Sequence, residues 1–211
     1  MILPIPSASP VRVAEYADEV IAGAGGKPCW LELQMLAVGS RHPTMAEVRC
    51  MTYLAIAHGV SGVTYQAFHY RDWWVTDFPG YWAQWSDHTA ELRRLTPQLM
   101  SPVIDGLKAE IVEGSHDALH TSLRRTETGY FLIAVNGSNA PVTANFTVPV
   151  LEAGLAPHAA VRSENRLVDV KDGVITDTFA EDAVHLYEIF EVTNIDPYTV
   201  DWPRWQRRPH R

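Results

Sequence analysis

A glutamate stands inside an apolar, strand-like run of the sequence. The run from Cys29 to Leu36 reads CWLELQML, with Glu32 in its middle and Gln34 two residues later. An unpaired carboxylate inside a core is costly, so this one needs a partner or a purpose. Because side chains alternate along a strand, Trp30, Glu32 and Gln34 share one face. A carboxylate and an amide on one face fit a functional site in a barrel interior or cleft better than a packing surface.

Helices and strands alternate in the half of the chain that positions this face. Thr44 and Glu47 form a capping box, which predicts a helix that stops at Gly59. This order predicts an α/β fold, with parallel strands covered by helices and ligands bound at the carboxyl ends of the strands. The predicted elements are a helix from Ser9 to about Ala22, the strand of Glu32, the capped helix, a strand Gly62–Phe68 and a helix from about Trp82 to Leu95.

The second half of the sequence indicates an all-β region. Short apolar runs are separated by turn signals such as Asn136-Gly137 and Asp172-Gly173, a spacing typical of an antiparallel β-sandwich. We therefore predict a segment of helix-covered parallel strands over 1–103, a β-sandwich over 104–191 and a tail over 192–211. The predicted strands are Ala109–Glu113, Leu119–Arg125, Tyr130–Asn136, Val142–Pro149, Ala159–Arg162, Leu167–Val170 and Val184–Phe190.

Composition excludes several classes of function. The 211 residues carry a formal net charge of −8 and no basic stripe, so we expect no nucleic-acid partner. No apolar run is long enough for a membrane helix, and the N-terminus lacks the pattern of a signal peptide, so we expect no membrane association and a cytoplasmic protein. Cys29 and Cys50 are predicted to be buried thiols. No metal-binding spacing is present, and we predict neither a metal nor a cofactor.

Several motifs together resemble the last two βα units of barrel glycoside hydrolases. The stretch KPCWLELQML…RHPTMAEVRCMTYLAIAHGVSGVTYQAFHYR is most similar to microbial β-galactosidases and related glycosidases of the retaining clan. The shared motifs are Lys27-Pro28, Arg41-His42-Pro43, Ala57-His58-Gly59 and the strand that opens with Gly62-Val63. GYFLIAVNGSNAPVTANFTV and TDTFAEDAVHLYEIF are similar to the β-sandwich that follows such barrels.

The resemblance implies that Glu32 is the nucleophile at the end of the seventh strand of a (β/α)8 barrel. Some related sequences carry a glutamine at the place of Gln34, which makes Gln34 the alternative functional position. A retaining mechanism needs two carboxyl groups roughly 5–5.5 Å apart, and the family's acid/base lies on the fourth strand. This chain resembles the family from about the sixth strand, which implies part of a longer enzyme, or a gene fragment, that is inactive alone. Glu32 would instead be structural if it formed a salt bridge with Arg49.

Aromatic residues at and after the second strand are candidates for sugar contact, because exposed rings suit the apolar faces of sugars. His69 is a candidate for binding hydroxyl groups. Each residue has a structural alternative as core, hydrophobic cover or solvated loop. The candidate substrate-binding residues are Trp30, Gln34, Tyr65, Phe68, His69, Trp73 and Trp74.

Two functions stay open from the sequence. One is a portion of a glycoside hydrolase acting on β-linked carbohydrate, and the other is a non-catalytic carbohydrate-binding or structural β-sandwich module. The expected partners are a carbohydrate and either the remaining half of the barrel or a second copy of the chain.

Overall fold

A computed structural model describes residues 8–38, 41–66, 68–152, 156–162 and 164–191. None of its helices is long and apolar enough to cross a membrane. The helices are α1 Arg12–Gly23, α2 Met45–Ala57, α3 Pro79–Arg94, α4 Thr96–Leu99 and α5 Pro149–Glu152. The strands are β1 Trp30–Gln34, β2 Gly62–Gln66, β3 His69–Tyr70, β4 Trp73–Trp74, β5 Lys108–Glu113, β6 Leu119–Arg125, β7 Gly129–Asn136, β8 Val142–Thr147, β9 His158–Val161, β10 Arg166–Lys171, β11 Val174–Phe179 and β12 Val184–Phe190.

The first half contains a βαβ unit in which α2 connects two parallel strands, β1 and β2. The predicted capping box begins α2: Thr44 Oγ1 accepts from the Glu47 amide at 3.2 Å, and the Glu47 carboxylate accepts from the Thr44 amide at 2.7 Å. Leu31 and Leu33 are buried against the helices. The predicted helix-covered parallel strands are therefore confirmed, although two strands do not by themselves form a barrel.

The second half forms one antiparallel sheet of eight strands, in the order β5-β8-β11-β10-β9-β12-β7-β6. The antiparallel β region is as predicted, and β10 joins its strands into a single hydrogen-bonded sheet. Residues 166–169 pair with β9, whereas Val170 and Lys171 pair with β11, so β10 connects β5, β8 and β11 to β9, β12, β7 and β6. Val103, just before β5, also bridges to Arg124 of β6, which brings the two ends of the sheet close together.

Strand β11 was not predicted, because Asp177 and two threonines interrupt its apolar pattern. The carboxylate of Asp177 has partners that offset its burial. Asp177 Oδ2 accepts from the Tyr187 hydroxyl at 2.6 Å and from Arg166 at 2.7 Å. The pKa of Asp177 is lowered well below its usual value, since hydrogen bonds from His185, Arg166 and Tyr187 outweigh the opposing effect of burial.

Both halves of the chain contribute to one hydrophobic core. Helix α2 packs on the face of the eight-stranded sheet formed by β6, β7 and β12. Its buried Val48, Met51 and Leu54 share a cluster with Phe131 and Leu186. The division into 1–103 and 104–191 stays a prediction, and the predicted tail 192–211 lies outside the described residues. Cys29 and Cys50 are buried, as predicted.

Candidate functional site

One face of the β1–β2 pair is open and carries the candidate nucleophile. Glu32 is exposed opposite the exposed Thr64. Trp30, on the same face, is 66% exposed. Glu32 points away from the helix layer, and Arg49 pairs with Glu91 at 3.0 Å. The salt bridge that would have made Glu32 structural is therefore not formed with Arg49.

Gln34 lies further along this face but is fully buried. Its Nε2 donates to the Leu36 carbonyl at 3.1 Å, so part of the amide holds the turn that follows β1. The opposite residue on β2 is Gln66, whose carbonyl accepts from the amides of Met35 and Leu36 at 2.7 and 3.1 Å. These bonds position the chain where both strands end.

A cleft of about 640 Å³ opens at the carboxyl ends of β1 and β2. Its lining includes Gln66, Tyr70, Asp72, Trp73, Asp77 and Phe78. Gln66 Oε1 and Trp73 Nε1 are buried and have no hydrogen-bond partner among the described residues. Buried polar atoms are normally satisfied, so this unpaired acceptor and this unpaired donor make Gln66 and Trp73 candidates for contact with a polar partner.

Gln66 connects the cleft to the open face. It is the next residue of β2 on the same face as Thr64, which is opposite Glu32. Because a strand rises about 3.3 Å per residue, Gln66 lies about 7 Å further along β2 than Thr64. The exposed carboxylate and the cleft therefore share one face of the parallel pair.

His42 fixes the aromatic wall of the cleft. Its ring lies 5.0 Å from Phe78 and 4.4 Å from Tyr81, centroid to centroid. Phe78 in turn stacks on Trp73 at 6.0 Å. Burial, and then the charge of Arg41, lower the pKa of His42, which favours a neutral ring suited to aromatic packing.

The β3–β4 hairpin carries further exposed rings beside the cleft. Phe68 is 54% exposed and Trp74 is 43% exposed. Phe68 meets Trp74 and Trp82 edge-on, with centroids 6.4 and 5.7 Å apart. The ring of His69 lies 3.9 Å from Trp74, and its Nε2 contacts the Arg71 carbonyl at 2.6 Å. His69 thus supports the hairpin turn and covers part of Trp74, while Phe68 and Trp74 both stay partly exposed.

Tyr65 lies on the opposite face of the sheet from Glu32. Its hydroxyl contacts Thr52 Oγ1 at 2.8 Å and His88 Nε2 at 3.1 Å, both on the helices, and burial raises the pKa of Tyr65 to about 12. Tyr65, a candidate substrate-binding residue, therefore faces the helices and not the open face that carries Glu32. The reason is that side chains alternate along β2. Thr64 and Gln66 lie on the same face as Glu32, and Tyr65, between them, lies on the other face.

Several cleft residues were missed by sequence reasoning. Gln66, Tyr70, Asp77 and Phe78 line the cleft, and His42 supports it. The signal that could have found them is the concentration of aspartates and aromatic residues between 70 and 78, directly after a strand of the parallel pair. In the part of the chain that the structure describes, no group of three metal-ligating side chains occurs.

The arrangement suits a ligand with hydroxyl groups on an apolar ring. Hydroxyl groups both donate and accept, so they are chemically suited to the acceptor Gln66 Oε1 and to the donor Trp73 Nε1, while the carboxylates of Asp72 and Asp77 offer further acceptors. Aromatic side chains such as Tyr70 and Phe78 bury apolar ring faces.

No protein-family model and no curated protein matches this sequence. Solved structures of glycoside hydrolases do resemble it in fold. A maltogenic α-amylase from Thermotoga neapolitana, 12% identical, aligns over 84% of this chain and 46% of its own, with a TM-score of 0.50.

Two further structures align less closely. An endoxylanase of the GH30 type from Clostridium papyrosolvens is 12% identical over 88% of this chain and 47% of its own, with a TM-score of 0.47. Another protein, described as a glycoside hydrolase, is 14% identical over 92% of this chain and 49% of its own, with a TM-score of 0.49. The chain thus spans about half the length of these proteins. At such identities, the similarity to the α-amylase concerns the fold alone.

Proposed function

We propose that the chain is part of a glycoside hydrolase-like protein that acts on β-linked carbohydrate. The observation that carries this proposal is the shared face of Glu32 and the aromatic cleft at the carboxyl ends of two parallel strands. Ligands of βα barrels bind at that end of the strands. The resemblance of the sequence to β-galactosidases supports the β-linked substrate and the view that β1, α2, β2 and α3 are the last units of a barrel.

In this proposal Glu32 attacks the anomeric carbon and forms a glycosyl-enzyme intermediate. The leaving group takes a proton from a second carboxyl group, which a retaining enzyme places about 5–5.5 Å away. The resemblance assigns that acid to the fourth barrel strand, outside this chain. Trp73 Nε1 and Gln66 Oε1 bind sugar hydroxyls, and Phe68 and Trp74 offer aromatic surface at the rim. We therefore expect the 211-residue chain to bind sugar without hydrolysing it.

Binding can be measured by NMR titration of the chain with β-linked galacto-oligosaccharides. We expect shifts in the Trp73 and Trp74 indole N–H signals, weaker binding by Trp74→Ala, and weaker binding by Trp73→Phe, which keeps a ring but removes the donor. Tyr16→Ala is the matched control, because Tyr16 is an exposed aromatic residue on α1. Unchanged affinity in both tryptophan variants would refute the cleft as the sugar site.

A second candidate, a carbohydrate-binding module in the β region, has its own supporting observation. A groove of about 430 Å³ crosses β10 and β11 and is lined by charged and polar side chains, including Asp169, Lys171 and Thr176. Deleting 1–103 cannot test it, because α2 shares a core with β7 and β12. The variants Asp169→Asn and Thr176→Ala can test this groove. Loss of sugar binding in these variants, together with unchanged binding in the tryptophan variants, would favour the carbohydrate-binding module.

The proposal also requires partners for the two outer edges of the β1–β2 pair. Among the described residues, β1 and β2 pair only with each other, which leaves both outer edges without strand partners, and Trp30 is 66% exposed. We expect these edges to pair with further barrel strands or, in their absence, with a second copy. Light scattering of the isolated chain tests the second case, and a monodisperse monomer would contradict it.

A further inference from the structure

Three titratable side chains, none of which lines the cleft, connect the helices to the eight-stranded sheet. Asp18 on α1 lies 2.7 Å from His58 Nδ1, at the end of α2. His58 Nε2 lies 2.9 Å from His120 Nδ1, on β6. The Asp18 side chain is 64% exposed and that of His58 is 20% exposed. His120 Nε2, at the inner end of this series, is buried and has no partner among the described residues.

The positions of the protons follow from the two short contacts. An ionised carboxylate only accepts hydrogen bonds, so His58 must carry its proton on Nδ1. In neutral His58, Nε2 is then an acceptor, and the 2.9 Å contact requires that His120 Nδ1 donate to it. Both neutral imidazoles are thereby fixed as Nδ1–H tautomers, and His120 Nε2 keeps its lone pair.

The number of protons on the pair determines whether the contact holds. One added proton is tolerated, because one of the two facing nitrogens still has a free lone pair. A second added proton places a hydrogen on both facing nitrogens. The bond is then lost, and two imidazolium rings with centroids 5.0 Å apart repel each other.

We propose that Asp18, His58 and His120 form an acid-sensitive clamp that joins α1 and the C-terminal end of α2 to β6 and loosens α1 when both imidazoles are protonated. The helix α1 leads through a short turn into β1, so release loosens the support of the strand that carries Glu32. The clamp does not depend on the proposed sugar site, because none of its three residues lines the cleft.

The electrostatic surroundings of His120 agree with release in acid. Among the described residues, the charged groups that face it are His58, at the end of α2, and Asp18, on α1. Burial first, and then the charge of His58, lower the pKa of His120 from 6.5, while Asp18 acts in the opposite direction. A histidine with a lowered pKa stabilises the fold above its unfolded pKa and loses that stabilisation as the pH falls through its folded pKa. Release is therefore expected below about pH 6.5.

Nitrogen-15 NMR of the imidazole rings in the full chain tests the proton positions. At about pH 7.5 we expect Nδ1–H signals for both His58 and His120. Free histidine has no carboxylate or second imidazole to fix its tautomer, so the result is specific to this contact. An Nε2–H tautomer at either residue would overturn the proposal.

Amide hydrogen exchange tests the release. On going from about pH 7.5 to about pH 5, and after correction for intrinsic rates, we expect α1 amides to exchange about tenfold faster relative to β8 amides. In His120→Gln, whose side chain can donate to His58 but does not titrate, the relative change should be less than about twofold. An equal acceleration in the wild type and in His120→Gln would overturn the clamp. Asp18→Asn is a second, exposed substitution, and it removes the carboxylate that stabilises the protonated imidazoles. It should shift release to higher pH, and it keeps the test informative if His120→Gln does not fold.

Discussion

The indole of Trp30 lies across Gly62 on the neighbouring parallel strand. A Cβ atom on Gly62 would lie 2.7 Å from Trp30 Cε2 and 2.8 Å from Cδ2, closer than such atoms normally approach. Glycine at position 62 therefore allows the indole to lie flat over β2. Because Trp30 remains 66% exposed, this contact is a surface feature of the open face.

We expect Gly62→Ala to displace the indole and to lower the free energy of unfolding by about 1 kcal/mol, at the low end of overpacking costs because Trp30 can move into solvent. The shift of the Trp30 indole N–H signal and urea unfolding measure the two effects. Gly80→Ala is the control, since nothing lies near its Cβ position and alanine is favoured in helix α3. In the Trp30→Ala background the cost of Gly62→Ala should disappear; if it persists, the indole is not its cause.

Local patterns predicted the βαβ unit, but the cleft required tertiary information. The alternation in β1 correctly placed Glu32 on the face opposite Leu31 and Leu33. The same alternation did not reveal that Gln34 is buried, because the chain after β1 covers that end of the strand. Similarly, the hairpin of β3 and β4 has strands of two residues each, too short for any periodicity to show.

Which surfaces of the two halves contact each other was also beyond the sequence. The apolar residues of α2 lie on several sides of the helix, and contacts with β1, β2, β6, β7 and β12 explain why. Which sheet face a helix covers depends on residues more than 80 positions away, as the contact of Cys50 Sγ with the Asn136 carbonyl illustrates. Short-range sequence patterns do not predict such contacts between residues that are far apart in the chain.

Glu91→Gln should destabilise the chain by about 2–4 kcal/mol. This is somewhat less than the cost of breaking a fully buried ion pair, because the Arg49 side chain is 24% exposed. Glu91 accepts from Arg49 at 3.0 Å and from the Tyr53 hydroxyl at 2.7 Å. Glutamine can still accept from Tyr53 but leaves the guanidinium without its counter-charge. Urea unfolding measures the loss. Glu15→Gln, at an exposed pair with Arg12, should change stability by less than about 1 kcal/mol, and equal losses in the two variants would contradict the argument.

His88 should make the chain sensitive to acid. Burial lowers its pKa to about 4, so its stabilising contribution is complete above about pH 6.5 and is lost as the pH falls toward 4. The loss corresponds to about 3 kcal/mol. His88→Gln can keep a bond to Thr52 or Tyr65 without titrating, and its stability should vary less with pH in this range. His158→Gln, at an exposed side chain, is the control and should follow the wild type; an identical pH profile for His88→Gln would rule out this role.

Glu32→Gln provides the most direct test of the proposed chemistry. Because Glu32 is exposed, the substitution should change the free energy of unfolding by less than about 0.5 kcal/mol. The isolated chain should hydrolyse no aryl β-galactoside before or after the substitution, since the acid/base carboxyl group is expected elsewhere.

When the chain is supplied with the remaining barrel strands, the substitution should lower kcat by on the order of a thousandfold or more, because a neutral amide cannot replace the attacking carboxylate. Glu110→Gln, an exposed glutamate on β5, is the matched control and should retain activity. Turnover by the isolated chain that Glu32→Gln abolishes would show that both carboxyl groups reside in this sequence. Full activity of the assembled Glu32→Gln variant would instead exclude Glu32 as nucleophile, and Gln34 would become the position to test for substrate contact.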